Sequence, residues 1–174
     1  MRCGASIALL GLGVLETASC SLTRQPLEHG APASANIGAA SDIAATSDIA
    51  APGVGLRIAQ LARAQIGATY RYGGASPAGF DCSGLVSYVY AKAGITTPRT
   101  AAAQQLAARS IPLASLQSGD LVFFRTVGPS VDHVVIYVGD GLFVHAPHAG
   151  RFVQTSRLDD PWYTQRIAGA GRLW

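Results

Sequence analysis

Two features predict an α+β domain over residues 54–174: helical periodicity in its first half, and strand-like apolar runs joined by short hairpins in its second. In that order of elements the helices pack on an antiparallel sheet.

The elements follow in order. At 55–67, Ile58, Leu61, Ala62 and Ile66 form one helical stripe that Gly67 stops. Residues 70–74, Tyr-Arg-Tyr-Gly-Gly, form a glycine-rich turn. Leu85, Val86, Val89, Tyr90 and Ala93 recur at helical spacing, with Gly94 as terminator. A third, alanine-rich helix is predicted over 100–108. Strands are predicted at 120–125, 133–139, 142–146 and 151–156, and a last, weaker one within 165–174.

The 174-residue chain is 49% apolar, which supplies one core rather than two. Its net charge of +3 comes from 13 scattered basic residues, so no basic block marks a nucleic-acid partner. A monomer with mild attraction to anionic surfaces is expected.

The first twenty residues carry Arg2, an apolar run from Ile7 to Leu15, and small residues before Cys20. That is the layout of a signal peptide, too short to span a bilayer. Thr17-Ala18-Ser19-Cys20 resembles a bacterial lipoprotein signal, which implies lipidation of Cys20; Thr17 and Glu16 depart from that pattern. Residues 21–53 are rich in Ala, Ser, Pro and Gly and repeat Ser-Asp-Ile-Ala-Ala, so they are read as a flexible link with a reach of ~30 Å. The expected division is a leader at 1–20, a link at 21–53 and a domain at 54–174, working outside the cytoplasm as a lipoprotein tethered through Cys20 and facing the periplasm. The alternative is a plain secretory signal cut elsewhere and a secreted or periplasmic protein.

The cysteines are Cys3, Cys20 and Cys82. With the first two in the leader, Cys82 has no disulfide partner, which is unusual in an exported chain. Asp81 precedes the second helix and Cys82 falls in its first turn, where free N–H groups and the dipole favour a thiolate. A nucleophilic cysteine also needs a base and a group to orient it. His133, His145 and His148 all lie in the strand region, and His133 opens a strand.

Which histidine stands behind His133 depends on the Asp140-Gly141 hairpin. A two-residue loop sets His133 opposite His148 and puts His145 on the other face. A three-residue loop over 139–141, with Gly141 in the left-handed bulge position, sets His145 opposite Val135 and on the face of His133. The residues permit both.

Tyr-Arg-Tyr-Gly-Gly at 70–74, Phe-Asp-Cys-Ser-Gly-Leu-Val at 80–86, Pro-Arg-Thr at 98–100, Gly-Asp-Leu-Val-Phe-Phe at 119–124, His-Val-Val-Ile-Tyr-Val-Gly at 133–139 and Phe-Val-His-Ala-Pro at 143–147 occur in order. Together they resemble the NlpC family of papain-like bacterial cell-wall cysteine peptidases. The resemblance implies a papain-like core, a Cys82 nucleophile, a His133 base and His145 as its orienter, with His148 as the alternative. It implies that Tyr70 lines the oxyanion region and that Asp81 and Ser83 flank the nucleophile. The implied substrate is the stem peptide of peptidoglycan, with neither cofactor nor metal. Arg99 is a candidate substrate contact; Gln104 reads as a helix-surface residue, and Trp162 and Trp174 as cover for the core or sheet edge. Rival readings are a zinc site of Cys82, His133 and His145, an idle scaffold of the same fold, and an amidase or transacylase.

Overall fold

The computed structural model describes residues 53–174; the leader, Cys20 and all but the last residue of the link lie outside them. Helix α1 (Val54–Arg63) buries Ile58, Ala59 and Ala62, and Leu61 packs against the same core. It ends a turn earlier than its apolar stripe suggests, leaving Ile66 exposed beyond it. A two-residue hairpin, β1 (Ala75–Ser76) and β2 (Gly79–Phe80), leads directly into α2 (Cys82–Lys92). Asp81 caps α2 by accepting from the Gly84 N–H at 2.7 Å, and Leu85, Val86, Val89 and Tyr90 face the core. Helix α3 (Ala101–Ala107) is capped by Thr100, whose hydroxyl accepts from the Ala103 N–H.

Gly84 is where α2 meets the Gly73-Gly74 turn. A Cβ there would stand 1.9 Å from the Gly74 carbonyl oxygen and 2.9 Å from Asp81 Oδ1. Gly84→Ala is expected to cost roughly 1–3 kcal/mol of stability through overpacking, read as a lowered urea midpoint at unchanged slope.

The remaining elements are β3 (Arg109–Ile111), a 3-10 turn (Leu113–Ser115), β4 (Leu121–Phe124), β5 (His133–Gly139), β6 (Leu142–His145), β7 (Gln154–Arg157), α4 (Pro161–Thr164) and β8 (Ile167–Arg172). All sheet pairs are antiparallel, in the order β3-β8-β4-β5-β6-β7. The chain thus has the predicted α+β architecture. The run at 151–156 differs in detail: Phe152 makes only an isolated bridge to Thr69, and β7 begins at Gln154.

Strand alternation divides the core. Leu121, Phe123, Val134, Ile136, Val138, Val144 and Ala146 pack with α1 and α2. Val122, Phe124, Val135, Phe143 and Ala170 form a second cluster on the opposite face, joined by Tyr163 and Ile167. His133 and His145 belong to this second face by the same alternation.

The β5–β6 hairpin adopts the register that gives His133 and His145 one face: Ile136 pairs with Val144 and Tyr137 with Phe143. Its extra residue sits elsewhere than the three-residue loop would put it. Asp140 (φ 55°) and Gly141 (φ 71°) form a tight turn with both residues left-handed, and Gly139 (φ 96°) pairs with Leu142 after a bulge inside β5.

Candidate active site

Cys82 opens α2, is partly exposed, and forms no disulfide. The N–H groups of Gly84 and Leu85 are engaged by the cap residue, Gly84 by the Asp81 carboxylate and Leu85 by the Asp81 carbonyl. Those of Cys82 and Ser83 stand beside the sulfur. Cys82 Sγ lies 3.9 Å from the carbonyl oxygen of Asp132, at the peptide that leads into His133.

His133 and His145 meet across β5 and β6, with His133 Nε2 and His145 Nδ1 3.0 Å apart. Their rings stand edge to face and are buried. His148 does not join them; it is exposed and its Nδ1 faces the Ala149 carbonyl at 2.9 Å. Beyond His145, Nε2 lies 3.1 Å from Ser156 Oγ and 3.5 Å from the Tyr163 hydroxyl.

On the Cys82 side, Asp81 is the hub. It accepts from the Gly73 N–H at 2.9 Å and from Arg99 through both guanidinium nitrogens, at 2.9 and 2.6 Å. Arg99 also donates to Ser83 Oγ at 3.0 Å and the Gly74 carbonyl at 3.4 Å. The guanidinium is therefore turned onto the residues flanking Cys82, yet it still lines a cavity of about 460 Å³ together with Tyr70, Tyr72, Cys82, Thr100 and Asp132. A second cavity, of about 600 Å³, is lined by His133, His145, His148, Arg151, Trp162 and Tyr163.

Gln104 corrects the surface reading. It is 0% exposed and donates through Nε2 to the carbonyls of Ser83 (3.0 Å) and Pro98 (2.8 Å), tying the segment before Arg99 to the start of α2. Trp162 lines the larger cavity with Arg166 stacked 4.4 Å above its ring. Trp174 covers Gly55 at the start of α1.

Burial dominates the electrostatics. It pushes the Cys82 thiol up, and Asp81 adds to this, against the lowering effect of the Val134, Ser83 and Cys82 N–H groups. This differs from the thiolate expected at a helix start: in the resting site desolvation outweighs the helix-end donors. Burial pushes His133 down to about 4 and His145 down to about 3, so both imidazoles are neutral at neutral pH. Burial, then the charges of Cys82 and Asp81, raises the Tyr70 phenol, which remains a donor. Asp81 resists its own burial: Arg99 and the Gly84 and Gly73 N–H groups hold it below the usual carboxylate range.

Asp132, Tyr72, Gln104, Ser156 and Tyr163 are absent from the residues singled out by sequence for this site. Asp132 shapes the approach to His133, its carboxylate accepting from the Thr126 and Val127 N–H groups at 2.8 Å each.

Residues 67–172 match the NlpC/P60 family. The chain is 44% identical over 114 residues to murein DD-endopeptidase MepH of Escherichia coli, covering 63% of this chain and 42% of that protein. It is 41% identical over 109 residues to a gamma-D-glutamyl-L-lysine dipeptidyl-peptidase of Bacillus cereus, covering 62% and 33%. The chain thus spans less than half the length of these relatives. An NlpC/P60 family protein from Bacillus cereus superposes with a TM-score of 0.65 at 36% identity, over 68% of this chain and 40% of that one.

Proposed function

The chain belongs to the NlpC/P60 family, and from that premise we propose that it is a cysteine endopeptidase hydrolysing amide bonds in peptidoglycan stem peptides or cross-links. The observation that carries this reading is the conjunction of a cysteine at a helix start with a buried His133–His145 pair whose first ring directly follows the Asp132 carbonyl, 3.9 Å from the sulfur. The names of the relatives, one a murein endopeptidase and one a peptidase for a γ-D-glutamyl bond, support the substrate class.

In this mechanism His133 Nε2 is engaged by His145, which leaves Nδ1 as the nitrogen that takes the Cys82 proton. The sulfur attacks the amide carbonyl carbon, and the N–H groups of Cys82 and Ser83 receive the oxyanion, with the Tyr70 phenol beside them. The C–N bond breaks as His133 returns the proton to the leaving amine. Water, deprotonated by His133, then hydrolyses the thioester to the acid and restores the thiol. Asp81, Ser83 and Arg99 form the wall against which the acyl half is held, and Arg99 contributes its exposed edge to substrate.

In this reading the chain acts outside the cytoplasm, with Cys20 as its lipid anchor and the 21–53 segment as the tether; the resemblance of Thr17-Ala18-Ser19-Cys20 to a lipoprotein signal supports it. No helix among the described residues is long and apolar enough to cross a membrane. Incubating purified peptidoglycan with the chain should release muropeptides bearing new amino groups, identified by mass spectrometry; an unchanged sacculus would contradict the proposal.

Two pH profiles follow. A depressed His133 keeps its basic form well below the ordinary 6.5, so the acidic limb of kcat/KM is expected near pH 4. A thiol raised above 9.0 is expected to label with iodoacetamide at a rate still increasing at pH 9. An acidic limb near 6.5, or pH-independent labelling from pH 6 upward, would contradict the neutral thiol–imidazole resting state.

A further inference from the structure

We propose that Ser156 is a positioning residue: its hydroxyl accepts from His145 Nε2–H and thereby fixes which nitrogen of His133 carries a proton. The inference rests on the peptidase reading above and adds a fourth member to the chain of groups behind Cys82.

The register places it there. Phe143 pairs with Ser156 and His145 with Gln154, so His145 and Ser156 are diagonal neighbours on one face of β6 and β7. His133 is the matching diagonal neighbour of His145 on β5. A row of His133, His145 and Ser156 therefore crosses three strands, with steps of 3.0 and 3.1 Å.

Chemistry makes the last member decisive. Only one proton fits between two neutral imidazoles. If it belongs to His133 Nε2, then His133 Nδ1 is a base and His145 carries its own proton on Nε2. If it belongs to His145 Nδ1, then His133 is protonated on Nδ1 and has no lone pair for the thiol. A carboxylate would impose the first arrangement. Among the described residues the recorded partners of His145 are His133, Ser156 and Tyr163, with no carboxylate or carbonyl. The choice falls to the hydroxyls. Ser156 Oγ is the nearer, at 3.1 Å against 3.5 Å for the Tyr163 hydroxyl, and an aliphatic hydroxyl is the better acceptor of the two. It therefore takes the His145 proton while its own proton turns toward the Tyr163 oxygen, whose titration Ser156 lowers. Tyr163 acting alone would donate into Nε2 and select the unproductive tautomer.

The test uses the full chain with 15N-labelled histidine, together with Ser156→Ala, Ser156→Thr and Tyr163→Phe. Long-range 1H–15N spectra at pH 7 should show His145 and His133 both as Nε2–H tautomers in the wild type. In Ser156→Ala, His145 should shift toward Nδ1–H, with kcat on a stem peptide reduced at least about tenfold and KM little changed. Ser156→Thr keeps a hydroxyl and should restore both readouts, whereas Tyr163→Phe should retain the wild-type tautomers. A wild-type His145 protonated on Nδ1, wild-type tautomers in Ser156→Ala, or equal damage from alanine and threonine would each overturn the proposal. Should the wild type cleave no stem peptide, the peptidase reading fails, and the spectra still decide the role of Ser156.

Discussion

Cys82→Ala is expected to reduce release of muropeptides from purified peptidoglycan by at least about 10⁴-fold. The magnitude follows from how the site is divided. In the proposed mechanism the oxyanion donors, the Asp81–Arg99–Ser83 wall and the His133–His145 pair all serve a bond made at one sulfur atom, so without it they have no covalent intermediate to stabilise. The substitution removes a partly exposed side chain at a helix start and leaves the Asp81 cap intact, so the variant should keep the wild-type unfolding midpoint. Inactivity with an unchanged midpoint separates chemistry from folding. Cys82→Ser is a harsher check, because a hydroxyl is far less acidic than the thiol and the neutral His133 is too weak a base to activate it.

Arg172→Ala is expected to have the largest effect on stability, a loss of roughly 3–5 kcal/mol. Arg172 grips Asp120 through two nitrogens at 2.6 and 2.7 Å, and the Asp120 side chain is fully buried. Asp120 also accepts from the Gln117 N–H at 2.7 Å, and the neighbouring Gly119 carbonyl accepts from the buried Tyr90 hydroxyl. Removing Arg172 leaves a buried carboxylate without its cation where β4 enters the sheet beside β8. Arg172→Met combined with Asp120→Asn should recover much of the loss, since no net charge then stays buried. The comparison is made by urea denaturation; equal damage from the single and paired changes would assign the effect to packing instead. This pair also gives the Gly119-Asp120 motif a physical role away from the chemistry.

The sequence carried the fold where side-chain periodicity is local. The α2 stripe of Leu85, Val86, Val89 and Tyr90, the His133–Gly139 strand and the Asp140-Gly141 turn needed only neighbours along the chain. β8 read weakly because Ile-Ala-Gly-Ala-Gly-Arg has little strand propensity, yet it lies between β3 and β4, where pairing on both edges stabilises it. β3 and the β1–β2 hairpin, at three and two residues each, are too short for any periodicity to register.

The site divides in the same way. Asp81 as a cap and Cys82 in the first turn are local facts. Asp81–Arg99 spans 18 positions, and Gln104 reaches back 21 to the Ser83 carbonyl, so neither contact leaves a mark in spacing, and a glutamine on an alanine-rich helix reads as exposed. The hairpin register that joins His133 to His145 hinged on one residue. The bulge proved to lie between Tyr137 and Gly139 rather than in the loop, which shifts the register equally. The resting thiol was illegible for another reason: helix-end donors are visible in sequence, whereas the depth of burial opposing them is not.

The central claim is that Cys82 forms the acyl intermediate, and mass-spectrometric peptide mapping of the trapped enzyme tests it most directly. The wild-type chain is mixed with a defined stem peptide, quenched in acid during turnover, digested and sequenced by mass spectrometry. The peptide containing Cys82 should carry the acyl half of the substrate as a thioester, with the amine half free in solution and no adduct in Cys82→Ala. Steady release of the amine half with Cys82 unmodified, and at the same rate in Cys82→Ala, would contradict it.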